Sequence, residues 1–306
     1  MVEEAPVTHP LEPGGVDDYR IKVGSMLLTL VDPTPGYERA YNRWYERDHY
    51  YAGCMVGPWL FAGSRWVATR DLKDLRWFRD DGPGDKRTGD DGDGDAGRRD
   101  GEADDTAVAR PWDAGSYVAI YWVERGHHDD HFGAWARPQV NRLYQEGRGF
   151  LERRHIHTVL FDHLGATYRD PDPVPVELAL DAGYDGLVAA WFDARQGRSA
   201  GDLHADLAAG PAPDLLRGSA IESITSWTPS AGENEPKHVP MDLGSRAGGP
   251  ERLVQLLFVR GDVRHTLDGL HDYTQAVEGA GLADTRLVAP FVRTVIGTDT
   301  YVDQLW

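Results

Sequence analysis

The sequence predicts an α+β protein of two similar halves, because one order of elements occurs four times along the chain. Each occurrence begins with an apolar run typical of a strand, passes through a stretch typical of a helix, and returns in a second β-rich run. The 306 residues, 41% of them hydrophobic, are sufficient for one large core or two ordinary ones. We therefore predict eight strands and four helices, arranged as two β-α-β-β-α-β halves.

The first half contains two of these units. In the first unit a strand, a helix and a strand are predicted at 25–32, 36–55 and 61–69. Aromatic residues at helical spacing form one stripe along the helix: Tyr37, Tyr41, Trp44 and Tyr45. In the second unit the same three elements are predicted at 117–125, 129–146 and 155–162.

The second half repeats this plan with little residue identity to the first. Its two units are predicted at 186–193, 200–216 and 219–228, and at 252–260, 263–280 and 285–296. Between the halves, an Asp- and Pro-rich segment predicts a linker at 168–185. We thus expect a first repeat at 20–167 and a second at 186–306, preceded by a flexible arm at 1–19.

Two segments do not belong to the repeats. Residues 79–110 are dominated by Asp, Gly and Arg, which predicts a disordered acidic insertion. Its Asp-Gly run at 91–95, with Glu102 at the twelfth position, superficially suggests a calcium loop. The ligand pattern and flanking helices of such a loop are missing, so a solvated acidic loop is favoured. Residues 229–250 predict a polar loop between strands.

Charge and composition exclude several classes of function. A net charge of -18 disfavours partners with a phosphate backbone and anionic membrane surfaces, so we expect neither nucleic acid nor membrane as a partner. The acidic N-terminus lacks the pattern of a signal peptide, and no apolar run is long enough to span a bilayer. A single cysteine, Cys54, excludes an internal disulfide and indicates an ordinary packing residue. We expect a cytoplasmic protein.

A motif in the first helix resembles a known family. The run Asn-Arg-Trp-Tyr-Glu-Arg-Asp-His from Asn42 to His49, followed by a Gly-containing turn and a strand with the pair Arg65-Trp66, is similar to the EthD-like branch of the dimeric α/β barrel superfamily. The resemblance covers about 45 residues. It implies two tandem ferredoxin-like repeats whose antiparallel sheets face each other, as an intramolecular dimeric α/β barrel with helices outside. It also implies an apolar pocket, either between sheet and helices or inside the barrel.

The same resemblance implies a range of activities, including cyclases, dehydratases, isomerases and cofactor-free monooxygenases, so the fold alone does not select a reaction. The chain departs from the family after His49. Family members have a short apolar turn ending in Pro-Gly-Phe, whereas this chain has a longer segment that reaches Phe61.

His49 is the leading catalytic candidate, because an imidazole can accept or donate a proton near neutral pH. The alternative is a histidine that caps the C-terminal end of its helix. Arg65 alternates with Gly63 and Val67 on its strand and could hold a carboxylate or an enolate; its alternative is an ion pair at the rim of the sheet. Tyr45 and Tyr121 are the candidates for orienting the substrate.

Four further residues are predicted to bind substrate: Trp44, Trp66, His157 and Glu222. Glu222 shares a strand face with apolar neighbours, which would raise the pKa of its carboxyl; exposure on an edge strand is the alternative. His127 and His131 are four residues apart and could share a helical face toward a metal, but a third ligand would have to come from elsewhere, for which His155 or His157 are candidates. Acidic residues at a helix start explain that segment without a metal.

These residues predict an enzyme that acts by proton transfer, without an organic cofactor, on a hydrophobic and aromatic or polyketide-derived small molecule. Lyase, dehydratase and cyclase reactions fit this description. A cofactor-free or haem-dependent oxygenase and a non-catalytic binding protein are the alternatives. No Gly-rich phosphate loop follows any predicted strand, so nucleotide cofactors are not expected. We expect no cofactor, with haem and a divalent metal as alternatives, and an outer sheet edge or helix face could form a homodimer.

Overall fold

A computed structural model describes residues 20–78, 107–231 and 246–306. These residues contain eight strands: β1 Val23–Pro33, β2 Leu60–Val67, β3 Tyr117–Glu124, β4 Arg153–Tyr168, β5 Gly186–Ala194, β6 Ile221–Pro229, β7 Arg252–Val259 and β8 Ala283–Arg293. The arm at 1–19, most of the predicted acidic insertion, including 91–95 and Glu102, and most of the predicted polar loop lie outside the described residues.

The strands close into one antiparallel barrel in the order β1-β3-β2-β8-β5-β7-β6-β4. The first half contributes β4-β1-β3-β2 and the second contributes β8-β5-β7-β6, so each half has the same internal order. This arrangement confirms the predicted α+β fold of two tandem ferredoxin-like repeats. The barrel differs from two separate facing sheets, because the sheets also join edge to edge at β2–β8 and at β4–β6.

The two joints differ in length. At β2–β8 only Trp66↔Arg293 and Val67↔Val292 pair, whereas β4 and β6 pair from Phe161↔Pro229 to Tyr168↔Ser223. β4 can serve both halves because it is 16 residues long and pairs with β1 before it reaches β6. The strand predicted at 155–162 was too short. Its continuation to Tyr168 has a bulge near Gly165 and no regular apolar alternation, so the sequence did not indicate it.

Large side chains fill the barrel interior. Four tryptophans with no exposed surface project from β2, β3, β5 and β6: Trp66, Trp122, Trp191 and Trp227. The rings of Trp122 and Trp227 stack with their centroids 5.8 Å apart, which joins the two halves. These tryptophans lie in the barrel interior, which is one of the two predicted pocket positions.

The helices cover the outer faces of the barrel. They are α1 Glu38–Trp44, α2 Arg70–Lys73, α3 Arg137–Gln145, α4 Ala200–Ala209, α5 Pro211–Leu216 and α6 Leu267–Gly279, with short 3-10 turns at Val176–Leu178 and Val263–Thr266. The predicted helix at 200–216 is two helices, because Pro211 has no N–H with which to continue α4. Among the residues that the structure covers, no helix is long and apolar enough to cross a bilayer.

Two predicted helices of the first half are π-helical over part of their length. α1 continues as a first π-helix, Tyr45–Met55, and a second π-helix, Asp129–Ala136, precedes α3. A π-helix has i→i+5 hydrogen bonds and occurs frequently at functional sites. Apolar spacing does not distinguish it from an α-helix, so the sequence predicted only continuous helices.

The end of the predicted acidic insertion is ordered. Val108 and Ala109 are 1% and 8% exposed and belong to the main hydrophobic core. The insertion was therefore predicted to extend too far, because two apolar residues in a polar surrounding give too weak a signal. The linker also packs into the protein, where Leu180 and Tyr184 join the same core.

Candidate functional site

A pocket lies between the outer face of the first sheet and the two π-helices. It encloses about 970 Å³ of space, including its open mouth. Its apolar lining comes from both layers: Leu27, Val31 and Leu160 from the sheet, and Phe132, Ala136 and Val140 from the helices. An apolar lining with a few polar groups is typical of a pocket for a small molecule. Of the two predicted pocket positions, the one between sheet and helices is therefore present.

His49 lies in the aromatic wall of this pocket. Its imidazole stacks on the Trp44 indole at 4.5 Å between ring centroids, and meets the Tyr45 ring edge-on at 5.4 Å. Gly53 makes room for the ring, because a Cβ at that position would lie 2.7 Å from His49 Nδ1. The first π-helix thus carries the imidazole and the space that it needs.

The pKa of His49 is lowered to about 3, first by burial and then by the positive charge of Arg153. Asp48 acts in the opposite direction without overcoming these effects. His49 is therefore neutral at physiological pH. A neutral imidazole can accept a proton, but burial and Arg153 make His49 a weaker base than an ordinary histidine until an anion offsets the charge of Arg153.

Two tyrosine hydroxyls meet at the inner end of the pocket. The hydroxyl oxygens of Tyr45 and Tyr121 are 2.5 Å apart, and the thiol of Cys54 interacts with the Tyr121 hydroxyl. Burial raises the pKa of Cys54 to about 12 and holds the pKa of both tyrosines well above the usual range. All three groups therefore keep their protons and can act as hydrogen-bond donors.

Arg153 and His155 project from the start of β4 into the same pocket. Arg153 Nε donates to His155 Nε2 at 3.0 Å, which leaves the proton of the imidazole on Nδ1, 2.8 Å from Thr158 Oγ1. Burial first, then Arg153, lowers the pKa of His155 to about 3. His155 is therefore a neutral support for the guanidinium.

The second π-helix contributes His131, and α3 contributes Arg137. His131 Nδ1 is 2.7 Å from the Pro58 carbonyl oxygen, so Nδ1 carries the proton that it donates. Burial lowers the pKa of this histidine as well. Sequence reasoning did not place Arg137, Arg153 or Cys54 in a site; the position of Arg153, two residues before His155 on one strand face, was the available signal.

The structure brings together half of the predicted site residues. His49, Tyr45, Tyr121 and Trp44 line the pocket. Trp66 and His157 instead lie inside the barrel with no exposed surface. Alternation along β2 turns Trp66 inward, whereas a register shift in the β1–β4 pairing between Leu30 and Val31 puts His157 on the opposite face from His155. Neither can contact a molecule in the pocket.

Arg65 also lies outside this pocket, although it faces the same helix. Its Nη1 donates to Asn42 Oδ1 at 2.6 Å and lies 3.4 Å from Glu46 Oε1. The guanidinium carbon is 3.9 Å from the ring centroid of Tyr117 and 4.5 Å from that of Tyr45. These contacts agree with the ion-pair alternative. Nε and Nη2 have no hydrogen-bond partner among the described residues, and Arg65 lines a smaller neighbouring pocket, so its role in anion binding stays a prediction.

Glu222 is part of a surface network on β6. Arg260 and Arg169 both lie close to its carboxylate, with the nearest nitrogens 3.1 Å and 3.3 Å away. The hydrogen bond from Arg260, in particular, lowers the pKa of Glu222. The predicted raised pKa is therefore wrong, because the two arginines act against the apolar neighbours on the strand.

The two metal-ligand candidates on the second helix segment do not converge. His127 stacks on the Trp59 indole at 3.6 Å and bonds Asp130, whereas His131 turns toward Pro58. Within 20–78, 107–231 and 246–306, no group of three or more His, Cys, Asp or Glu side chains could hold a metal ion.

The pocket histidines do not match the ligand set of a haem. An iron-bound imidazole usually presents one free nitrogen while the other binds an acceptor. His155 uses both nitrogens within the protein, and His131, which has the acceptor, is 2% exposed beneath the rings of Phe132 and Trp135. His49 lines the pocket but makes no hydrogen bond to a described acceptor. The pocket histidines therefore lack the arrangement of a haem ligand.

Comparisons with known proteins identify the fold. No protein-family model matches the sequence, and no curated protein is similar to it. An anthrone oxidase-like protein has the same fold, with a TM-score of 0.50 and 6% identity over 91% of this chain and 95% of that one. A candidate chlorite dismutase (TM-score 0.48, 10% identity, 93% and 100% covered) and a dye-decolorizing protein from V. cholerae (0.43, 10%, 93% and 97%) are also similar. The chain thus has the fold of the dimeric α/β barrel proteins.

Proposed function

We propose that this protein is an enzyme that binds a flat aromatic molecule in the pocket and transfers a proton from it to His49. The observation that carries the proposal is the state of His49. It is a neutral imidazole that lines the pocket, stacks on Trp44 and has no hydrogen-bond partner among the described residues. Assignment to the EthD-like branch is part of this proposal and rests on the motif that ends at His49.

Proton transfer to His49 would leave an anion on the substrate, which the pocket can stabilise. If Cys54 donates to Tyr121 and Tyr121 donates to Tyr45, the hydroxyl proton of Tyr45 is free for the substrate oxygen that gains charge. A fixed donor in an apolar site stabilises such an oxygen more than water does, because it needs no reorganisation. The aromatic wall holds the ring system, and Trp44 keeps the imidazole in place.

The fate of the anion distinguishes two classes of reaction. In a lyase, dehydratase or cyclase the anion eliminates a group or closes a ring. In a cofactor-free oxygenase it reacts with dioxygen: an activated CH2 group forms a C–O bond, becomes a carbonyl, and releases the second oxygen atom as water. The substrate supplies all the electrons, so no external reductant is needed. We propose the oxygenase reaction, and the name of the anthrone oxidase-like protein suggests the first substrate to test.

An oxygen electrode with anthrone as substrate tests this reaction. We expect one molecule of dioxygen to be consumed for each quinone formed, no product under nitrogen, and no Soret band in the active protein. Product formation without dioxygen would instead support the lyase class. A Soret band that follows activity through purification would contradict the cofactor-free route, and unchanged co-purifying molecules without turnover would indicate a binding protein.

The pH dependence of turnover tests His49 as the base. Its folded-state pKa of about 3 lies below the ordinary value, so the neutral form is present throughout the range from pH 5.5 to 8. We expect kcat/KM, which reports the free enzyme, to lack the acidic limb that an ordinary histidine base produces near about pH 6.5. Measurement of kcat/KM across this range, on protein shown to be folded at each pH, gives the profile. A half-maximal rate near the ordinary histidine pKa would contradict the assignment.

A further inference from the structure

The charge of the pocket is opposite to that of the protein. The chain has a net charge of -18, yet no Asp or Glu lines the pocket. Its charged and titratable lining residues are Arg137, Arg153, His49, His131 and His155, with Tyr41, Tyr45, Tyr121 and Cys54 protonated. A pocket lined by arginines is a specific feature in so acidic a protein, because a surface of its average composition would include carboxylates.

Arg153 is held in position by neutral groups. Nε donates to His155, Nη1 to the carbonyl oxygen of Phe150, and Nη2 to the hydroxyl of Tyr144. The guanidinium carbon also lies 4.8 Å from the Trp44 ring. No carboxylate of the described residues lies within ion-pair distance of Arg153. Three of about five N–H donors are thus used, and about two are left on Nη1 and Nη2.

A partly buried guanidinium without a counterion has a desolvation cost that no anion among the described residues offsets. Removing a cation from water has a cost that a nearby anion normally offsets. After burial, which is the larger cause, the uncompensated charge of Arg153 also lowers the pKa of both His49 and His155. Arg137 adds a second guanidinium to the lining and forms no hydrogen bond or ion pair with the described residues.

We infer that the pocket binds an aromatic molecule through an ionised oxygen group, and that the free N–H donors of Arg153 are its receptor. The inference rests on the proposed function, because it specifies the substrate class of the same pocket. A carboxylate would accept both donors side by side, and a phenolate or enolate would accept them at one oxygen. His49 and Arg153 both contact Trp44, so the bound anion lies next to the proton acceptor.

Calorimetric titration with matched probes tests the inference without turnover. 2-Naphthoate and naphthalene-2-carboxamide have similar shapes but differ in charge. We expect the naphthoate to bind at least about tenfold more tightly, as charge-assisted hydrogen bonds predict. Arg153→Gln should abolish this preference and leave carboxamide binding unchanged, and Arg153→Lys should retain part of it because the charge remains. Arg154→Gln, an exposed neighbour paired with Asp32, is the matched control and should change neither affinity.

The outcomes separate the sources of the anion and the two proposals. Binding of 2-naphthol that tightens as its hydroxyl ionises identifies a phenolate, and preference for naphthoate alone identifies a carboxylate. Equal affinity for naphthoate and carboxamide, or an equal loss of both in Arg153→Gln, would overturn the inference. If Arg153→Gln does not fold, Arg153→Lys is measured instead. A preference of this variant for naphthoate over carboxamide that stays unaltered at high salt would also overturn the inference. His49→Ala should keep the preference for naphthoate. Anion binding without turnover would contradict only the proposed function. Turnover without a preference for the anion would contradict only this inference.

Discussion

Replacing His49 with Ala is expected to lower kcat by about 100-fold or more, the usual contribution of a positioned proton acceptor. No other imidazole of the pocket can replace it. His155 has both nitrogens engaged, and His131 is buried with Nδ1 bound to Pro58. Turnover of anthrone, followed by the absorbance of the quinone and by oxygen uptake, measures the effect.

Two comparisons make this result specific. His49→Gln keeps much of the side-chain volume beside Trp44 and Gly53, so it distinguishes lost chemistry from lost packing. His127→Ala removes a histidine that stacks on Trp59 outside the pocket, and its turnover should equal that of the native protein. Partial rescue of His49→Ala by added imidazole would support proton transfer. A native rate in folded His49→Ala would reject His49 as the base.

The features that the sequence predicted correctly are mostly local. Tyr45 and His49 are four residues apart, so helical spacing alone places them on neighbouring positions. Trp44 is five residues from His49, and their stacking occurs at the start of the π-helix, which the spacing did not predict. Alternation along β2 likewise assigned Arg65 to the face of Gly63 and Val67, which is the face that packs against the helix. Period and spacing determine which face a side chain occupies, and this information is present in a single segment.

The features that the sequence did not predict depend on segments that meet only in the folded protein. Arg153 reaches the pocket because β4 pairs with β1, more than 120 residues earlier in the chain. Whether Arg65 faces a ligand or a carboxylate depends on Glu46 across the sheet-helix interface, and no periodicity contains that information. The π-helical geometry is also absent from the apolar pattern, since it changes the hydrogen-bond register and not the order of residue types.

Arg65 is expected to stabilise the fold, and its removal should have the largest effect on stability. Its side chain and that of Glu46 are 4% and 8% exposed, and Tyr117 and Tyr45 cover the guanidinium. Arg65→Met leaves Glu46 buried without its cation, which costs about 3–5 kcal/mol in comparable buried pairs. Urea unfolding followed by circular dichroism measures this loss as a shift of the midpoint at constant slope.

The matched control is Arg43→Met, which removes an arginine that pairs with Asp299 at 2.5 Å on the surface. Exposed pairs contribute about 0–1 kcal/mol, so its midpoint should hardly move. Adding Glu46→Gln to Arg65→Met should restore part of the stability, because the uncompensated carboxylate is then gone. The folded fraction of Arg65→Met should keep its turnover. If turnover falls while the unfolding midpoint stays unchanged, Arg65 acts on the substrate as the sequence first suggested, and the pocket that surrounds His49 must extend to it.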